Sequence, residues 1–501
     1  MEPKLQALKT RLFEINDLNM ASALLIWDQS TYMPQGGAEA RGRQIGTLSR
    51  LAHEKFTDPA VGTLLDSLQD YTRDLPDDSD DKRLVAVTKR EYEQAIRVPS
   101  EFVAELSNHV AVSYDAWTRA RPDNDFAAVQ PLLEKTLDLS RQYADFFPGY
   151  EHIADPLIDS ADYGMKAASV RSLFADLREQ LVPIVQAITA QPVADDACLK
   201  QAYPVDKQLA FGLDVIKAFG YDFERGRQDI TLHPFMIKFS LGDVRITTRV
   251  KEHDLSEGLF STLHESGHAM YEQGIDRSYE GTPLGSGTSA GVHESQSRLW
   301  ENLVGRSRTF WRYWYPKLQE TFPDQLGNVS LDTFYRAVNK VERSLIRTDA
   351  DEVTYNLHVM MRFDFELQML EGKLAIKDLP EAWHERFKAD IGLAPPDHRD
   401  GALQDVHWFS GTVGGAFQGY TLGNILSAQF FEAARASQPD IDREMEQGQY
   451  AALHSWLTER VYRHGSKYTA AEIVERATGQ PMTIEPYMRY LRGKFGELYD
   501  L

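Results

Sequence analysis

Apolar residues recur every three or four positions over long stretches of this 501-residue chain, and that period commits it to amphipathic helices packed around a buried core. Leu5, Leu8, Leu12 and Ile15 form one such stripe; Val129, Leu132, Leu133 and Leu137 form another. Leu173, Phe174, Leu177 and Leu181 make a third, and Ile425, Phe430, Phe431, Leu453, Leu457 and Val461 carry the pattern towards the C-terminal end. The interruptions at 74–82, 119–125, 191–207 and 392–401 are polar and short, too short to act as free linkers between independent domains. The expected architecture is mainly α: one large helical domain over residues 1–501. Within the first break, the acidic run Asp77-Asp78-Ser79-Asp80-Asp81 reads as a solvated turn.

One segment departs from the helical period. Residues 229–251 are rich in Ile, Val, Phe and Thr, and two alternating runs flank Ser240-Leu241-Gly242-Asp243. That pattern reads as a β-hairpin.

Composition narrows the function classes. With 54 Lys+Arg against 75 Asp+Glu, the chain carries a net charge of −21, which repels phosphate backbones and anionic membranes. The single cysteine, Cys198, excludes an internal disulfide and any Cys-rich metal site. Charges are scattered through the first twenty residues, where a signal peptide needs an apolar run. The stretch Ala21–Trp27 is far too short to cross about 30 Å of hydrocarbon. A cytoplasmic protein is expected.

Residues 264–268 read His-Glu-Ser-Gly-His. Two histidines four apart share one face of a helix, so both imidazoles can reach one ion. Glu265 projects beside them, where it can take a proton from the attacking water. Leu259, Phe260, Leu263 and Met270 line the buried side of that helix, and Gly274 can end it. Catalytic zinc usually takes a third protein ligand and keeps one position open. The segment 291–302, after a Gly-rich loop, looks like the start of a second helix and offers Glu294, 30 residues after His264. Taken alone, Glu294 reads as a charge near a helix N-terminus and His293 as a surface histidine.

At this point the sequence resembles a known family, the carboxypeptidase Taq metallocarboxypeptidases. Six blocks carry the resemblance, in order: His233-Pro234-Phe235; Asp243-Val244-Arg245-Ile246-Thr247; His264-Glu265-Ser266-Gly267-His268; His293-Glu294-Ser295-Gln296; Ile346-Arg347-Thr348-Asp349-Ala350-Asp351; and Gly401-Ala402-Leu403-Gln404-Asp405-Val406-His407-Trp408. The stretch from Trp27 to Pro34 also matches. The resemblance implies a helical fold with a central groove, related to neurolysin and angiotensin-converting enzyme, with a small sheet beside the metal site and two subdomains flanking the groove. It implies a homodimer that removes C-terminal residues from peptides. The ligands would be His264, His268 and Glu294, holding zinc, with cobalt or manganese as alternatives.

Other roles follow by analogy. His407 and Tyr420 become candidates to stabilise the oxyanion, although Tyr420 also suits a helix core. Arg347 and Arg245 become candidates to grip the terminal carboxylate through a bidentate fork. Arg347 equally fits a helical salt-bridge network with Asp349, Asp351 and Glu352. His233 and Gln404 join them as substrate-binding candidates, and Gln404 and Asp405 also as partners that orient site histidines. The Gly281–Gly291 segment either admits a peptide backbone or is a flexible connector. One element departs from the family: Gly414–Tyr420 lacks the usual first tyrosine and proline and is one residue longer, so any tyrosine role there rests on Tyr420. Two rival readings are an oligopeptidase that cuts internally and a helical peptide-binding scaffold without catalysis. The intact His264, Glu265, His268 and Glu294 argue against the scaffold.

Overall fold

The computed structural model describes residues 2–501. Most of its elements are helices, and the strands among the described residues form a three-stranded sheet. Helix α1 (Pro3–Thr31) begins with proline in its first turn, where the missing N–H costs nothing. It buries Leu5, Leu8, Leu12 and Ile15. Helix α2 (Ala38–Phe56) folds back along it, and Arg41 donates to Asp28 at 2.7 Å. Helix α3 (Asp80–Ala95) is capped by Ser79, whose hydroxyl accepts from the Lys82 N–H. The acidic run is the expected solvated turn at Asp77-Asp78, and its last two residues open this helix. Asp80 accepts from Tyr279 at 2.7 Å and from Lys467 at 2.6 Å, in the first turn of a helix, where the dipole favours a carboxylate.

The hairpin is present as β2 (Met236–Ser240) and β3 (Asp243–Thr248), antiparallel and joined at Leu241-Gly242. A third strand, β1 (Gln228–Ile230), pairs with the other side of β3 in parallel. Three residues are too few to show alternation, which is why pattern reading misses it. No helix among the described residues is long and apolar enough to cross a membrane.

After the sheet come the helices that build the site: α4 (Leu255–Gly274), α5 (Ala290–Arg298), α6 (Tyr355–Leu370) and α7 (Gln418–Ser437). Helix α6 is buried on nearly every side, including His358, Arg362 and Glu366, as expected for a helix through the middle of a large core. Arg347 does not lie on a helix with its acidic neighbours. It sits in a short 3₁₀ turn, Arg347–Asp349, because the Asp351 carboxylate accepts from the Val353 and Thr354 amides and turns the chain ahead of α6.

One continuous core runs through the body of the molecule. A smaller, separate cluster joins Leu5, Leu8 and Leu12 of α1 and Leu84 and Val85 of α3 to Leu241 at the hairpin tip and to Ile275 and Leu284 beyond α4. The N-terminal helices thus rest on the sheet and on the segment that leaves α4.

Candidate metal centre

Helix α4 is set against the sheet by its own first half. Asp254 caps it, accepting from the Ser256 amide, and the Thr248 hydroxyl of β3 meets Ser261 at 2.7 Å and Thr262 at 3.2 Å. Leu259, Phe260, Leu263 and Met270 are buried, as the periodicity predicts. His264 and His268 then face α5, which Ser289 caps by accepting from the Val292 amide. Glu294 lies one turn into α5 rather than at its cap.

Two glycines bring these helices together. A Cβ on Gly267 would fall 2.5 Å from the Gln296 carbonyl oxygen, and one on Gly423 of α7 would fall 2.5 Å from Cγ of Glu294. Only residues without a side chain permit that approach. Consequently one Glu294 carboxylate oxygen lies 3.6 Å from Nε2 of His264 and 3.4 Å from Nε2 of His268. Ligand atoms of the three residues all fall within 4.8 Å of one another.

The outward-facing nitrogens are also engaged. His264 Nδ1 meets Glu301 at 2.9 Å. His268 Nδ1 meets Nδ1 of His293 at 2.7 Å, and His293 Nε2 meets Glu272 at 3.0 Å. Lys238 of β2 donates to the same Glu272 at 2.6 Å. The network is consistent with one set of tautomers: His268 donates from Nδ1, His293 donates from Nε2, and Nε2 of His268 keeps its lone pair. His293 is therefore an interior partner of His268, not a surface histidine. On the other flank, Arg298 donates to Glu294 at 2.7 Å and pairs with Glu301. Burial alone would raise Glu294; Arg298 and the two histidines instead hold it well below the ordinary carboxylate range. Burial pushes His268 down to about 4.

Glu265 is buried beside this cluster. Burial pushes its carboxyl up to about 7; Glu294 and Glu301 add to the rise, while His264 and the Met236 amide oppose it.

A second cluster gathers the downstream candidates. The altered segment after Trp408 leads into α7, whose first turn carries Tyr420 to 3.3 Å from Nε2 of His407. Burial pushes His407 down to about 4, with Arg347 and Arg362 adding to the fall. Tyr420 is pushed up to about 12, first by burial. A neutral imidazole thus faces a protonated phenol. Arg347 donates from Nε to one Asp405 carboxylate oxygen at 3.0 Å, with a second guanidinium nitrogen also 3.0 Å from that oxygen, and donates to Tyr355. Arg362 of α6 pairs with the same Asp405. His233 lies close enough to disfavour protonation of His407.

Other candidates are placed differently. Arg245 forks onto Asp243 at 2.8 and 2.7 Å and lies over the Trp27 ring, on the α1 side of the sheet. Gln404 accepts from the Arg347 amide and donates to the Leu345 and Asp400 carbonyls, so it shapes the Arg347 turn rather than orienting a histidine. Asp405 stands 3.7 Å from His407 Nδ1, beyond hydrogen-bond reach.

Pattern reading passed over several residues of the site. Arg298 and Glu301 follow Glu294 by four and seven positions, so their shared helix face was legible. Glu301 lies in a π-helical stretch, Leu299–Val304, that continues α5. Lys238 and Glu272 carry no spacing signal, since only the fold brings hairpin and helix together.

Comparison with known proteins agrees with this geometry. The family model of the carboxypeptidase Taq (M32) metallopeptidases matches residues 7–495. Thermostable carboxypeptidase 1 of Thermus thermophilus is 41% identical over 487 residues, covering 95% of each chain. Carboxypeptidase 1 of Bacillus subtilis is 36% identical over 98% of this chain and 97% of its own. The crystal structure of the M32 carboxypeptidase from Deinococcus radiodurans R1 superposes with a TM-score of 0.98 at 52% identity, covering 100% of both chains. Spread over nearly the whole length, the similarity shows that this chain belongs to the carboxypeptidase Taq family, the M32 metallocarboxypeptidases.

Proposed function

We propose that the chain removes C-terminal residues from peptides one at a time, with His264, His268 and Glu294 holding a single divalent ion and Glu265 acting as general base and then general acid. The convergence of three ligand atoms within 4.8 Å beside a buried carboxylate carries the reading. The donor set fits such an ion: two imidazoles and one carboxylate, each imidazole steadied through its other nitrogen. A His₂Glu set suits zinc in a catalytic site, with cobalt or manganese as alternatives.

An ion held there supplies Lewis acidity, making water more acidic and polarising the scissile carbonyl. Glu265 accepts the proton of the attacking water and passes it to the departing amine. The phenol of Tyr420, with His407 behind it, donates to the developing oxyanion. Arg347, held in orientation by Asp405 and by Gln404 through its backbone, grips the substrate's terminal carboxylate. Arg245 is the alternative anchor, and His233 contacts substrate beside His407. We further propose a cytoplasmic homodimer whose single domain has two subdomains flanking the groove, an arrangement that the separate N-terminal cluster supports. Peptides are its partners; nucleic acid and membranes are not, given the net charge of −21.

Mass spectrometry of digests of paired peptides with free and amidated C-termini tests this reading. Losing a buried charge-assisted pair costs about 2–5 kcal/mol, roughly 30-fold to several-thousand-fold in kcat/KM. Free peptides should shorten one residue at a time and amidated ones should resist. Arg347→Ala should erase the difference by slowing the free peptides. Equal cleavage of both, or internal cuts as first products, would replace this reading with the oligopeptidase one.

A further inference from the structure

The Gly-rich segment between α4 and α5 is not a slack connector. Gly287 donates to Glu272 at 3.0 Å, and the Thr288 amide donates to Tyr271 at 3.2 Å. With α3 and the Asp159–Tyr163 stretch it borders an open cavity of about 520 Å³, and His293 forms part of the wall. One side chain, His293, separates the cavity from His268, to which it bonds directly. Its size falls in the about 300–1,000 Å³ range of ligand pockets and exceeds the needs of one side chain.

The charges lining it are unequal in their freedom. Asp159 is spent: it accepts from Tyr150 at 3.0 Å, Gln94 at 3.1 Å and the Gly164 amide at 2.8 Å. Arg90 stacks on the Tyr163 ring at 3.9 Å. His293 is taken up by His268 and Glu272. Glu91 of α3 is different. It accepts no hydrogen bond among the described residues, and its nearest cation, Arg90, is 3.8 Å away. Although 38% of its side chain is exposed, crowding by the walls pushes its carboxyl up to about 7. A carboxylate so placed gains from a cation that enters the cavity.

We infer that this cavity receives the retained part of the substrate and that Glu91 reads a positive charge on it, either the α-ammonium or a lysine or arginine side chain. The inference rests on the carboxypeptidase reading above. An exopeptidase sends a single residue to the leaving side of the scissile bond, so a space larger than one side chain suits the retained side. The substrate's carboxylate is assigned to Arg347, beside His407 and Tyr420, and is not needed here.

The test uses synthetic peptides sharing one C-terminal residue. One pair differs by N-acetylation; other pairs exchange lysine for norleucine at single positions before the scissile bond or at the departing residue. The unmodified enzyme should favour a charged member by about 5- to 30-fold in kcat/KM, between the effect of an exposed ion pair and that of a desolvated one. Loss of the preference on acetylation identifies the α-ammonium; loss on the norleucine exchange identifies the side chain. Glu91→Gln should abolish the preference by raising KM for the charged peptides towards that of the neutral ones. Equal rates for charged and neutral peptides, or a preference that survives Glu91→Gln, would overturn the role of Glu91. A preference confined to the departing residue would overturn the placement of the cavity. Amidated versions of the same peptides separate the two readings: intact discrimination against amides without a charge preference removes this inference alone, and loss of both removes the carboxypeptidase reading as well.

Discussion

Gly267→Ala adds one methyl group at the place where the helix carrying His264 and His268 touches the helix carrying Glu294. The new Cβ would lie 2.5 Å from the Gln296 carbonyl oxygen and 2.7 Å from Cα of Ser297, where ordinary contact begins at 3.4 Å. Both neighbours are backbone atoms and cannot rotate aside, so α4 and α5 must part by about 0.9 Å, the shortfall in that contact. Overpacking of this kind costs about 1–3 kcal/mol of stability. The functional cost is more specific. Glu294 lies two residues before Gln296 on α5, while both histidines ride on α4, so the displacement opens the gaps of 3.4 and 3.6 Å across the site. Metal sites tolerate ligand displacements of about 0.2 Å; a shift several times larger should weaken metal binding about 10- to 100-fold, the range seen when supporting contacts are lost. Competition against a chromophoric chelator measures the affinity, and urea denaturation of the metal-free protein measures the stability. Activity should recover in part when metal is in excess. If affinity stays within twofold of the unmodified protein, the helix contact does not set the ligand spacing.

Three further outcomes follow from the same structure. Glu265→Gln should keep fold and metal yet lose about 10²–10⁴-fold in rate, because an amide accepts no proton; turnover within a few-fold of the original removes Glu265 from that role. His264→Ala/His268→Ala should abolish metal binding, and elemental analysis showing a full equivalent of metal retained would refute the ligand assignment. Glu366, fully buried on α6 against Trp408, has its carboxyl pushed by burial up to about 8. The folded state therefore holds this proton where the unfolded chain, near 4.5, has released it, and the stability is lost as pH rises from about 4.5 to about 8. Glu366→Gln should remove that loss, gaining on the order of 3–5 kcal/mol at pH 8 and little at pH 5; equal differences in urea denaturation at both pH values would refute it.

The sequence determined the helical class, the positions of the buried stripes and the hairpin, because burial on one face imposes a local period. Leu5, Leu8, Leu12 and Ile15 are buried on α1, and Leu259, Phe260, Leu263 and Met270 on α4. It also put His264, Glu265 and His268 on one helix, since a separation of four residues is a local geometric fact. The strand β1 was invisible because its pairing with β3 lies outside its own three residues. Likewise, nothing near His293 marks it as interior; that follows only when the hairpin brings Lys238 to Glu272 and Glu272 to His293. Arg347 shows the limit from the other side. Its acidic neighbours in sequence suggested a helical ion-pair network, yet its partner is Asp405, 58 positions away. Spacing along a helix determines which groups can share a face, but the meeting of groups from different elements depends on how closely those elements pack, and here Gly267 and Gly423 let them approach.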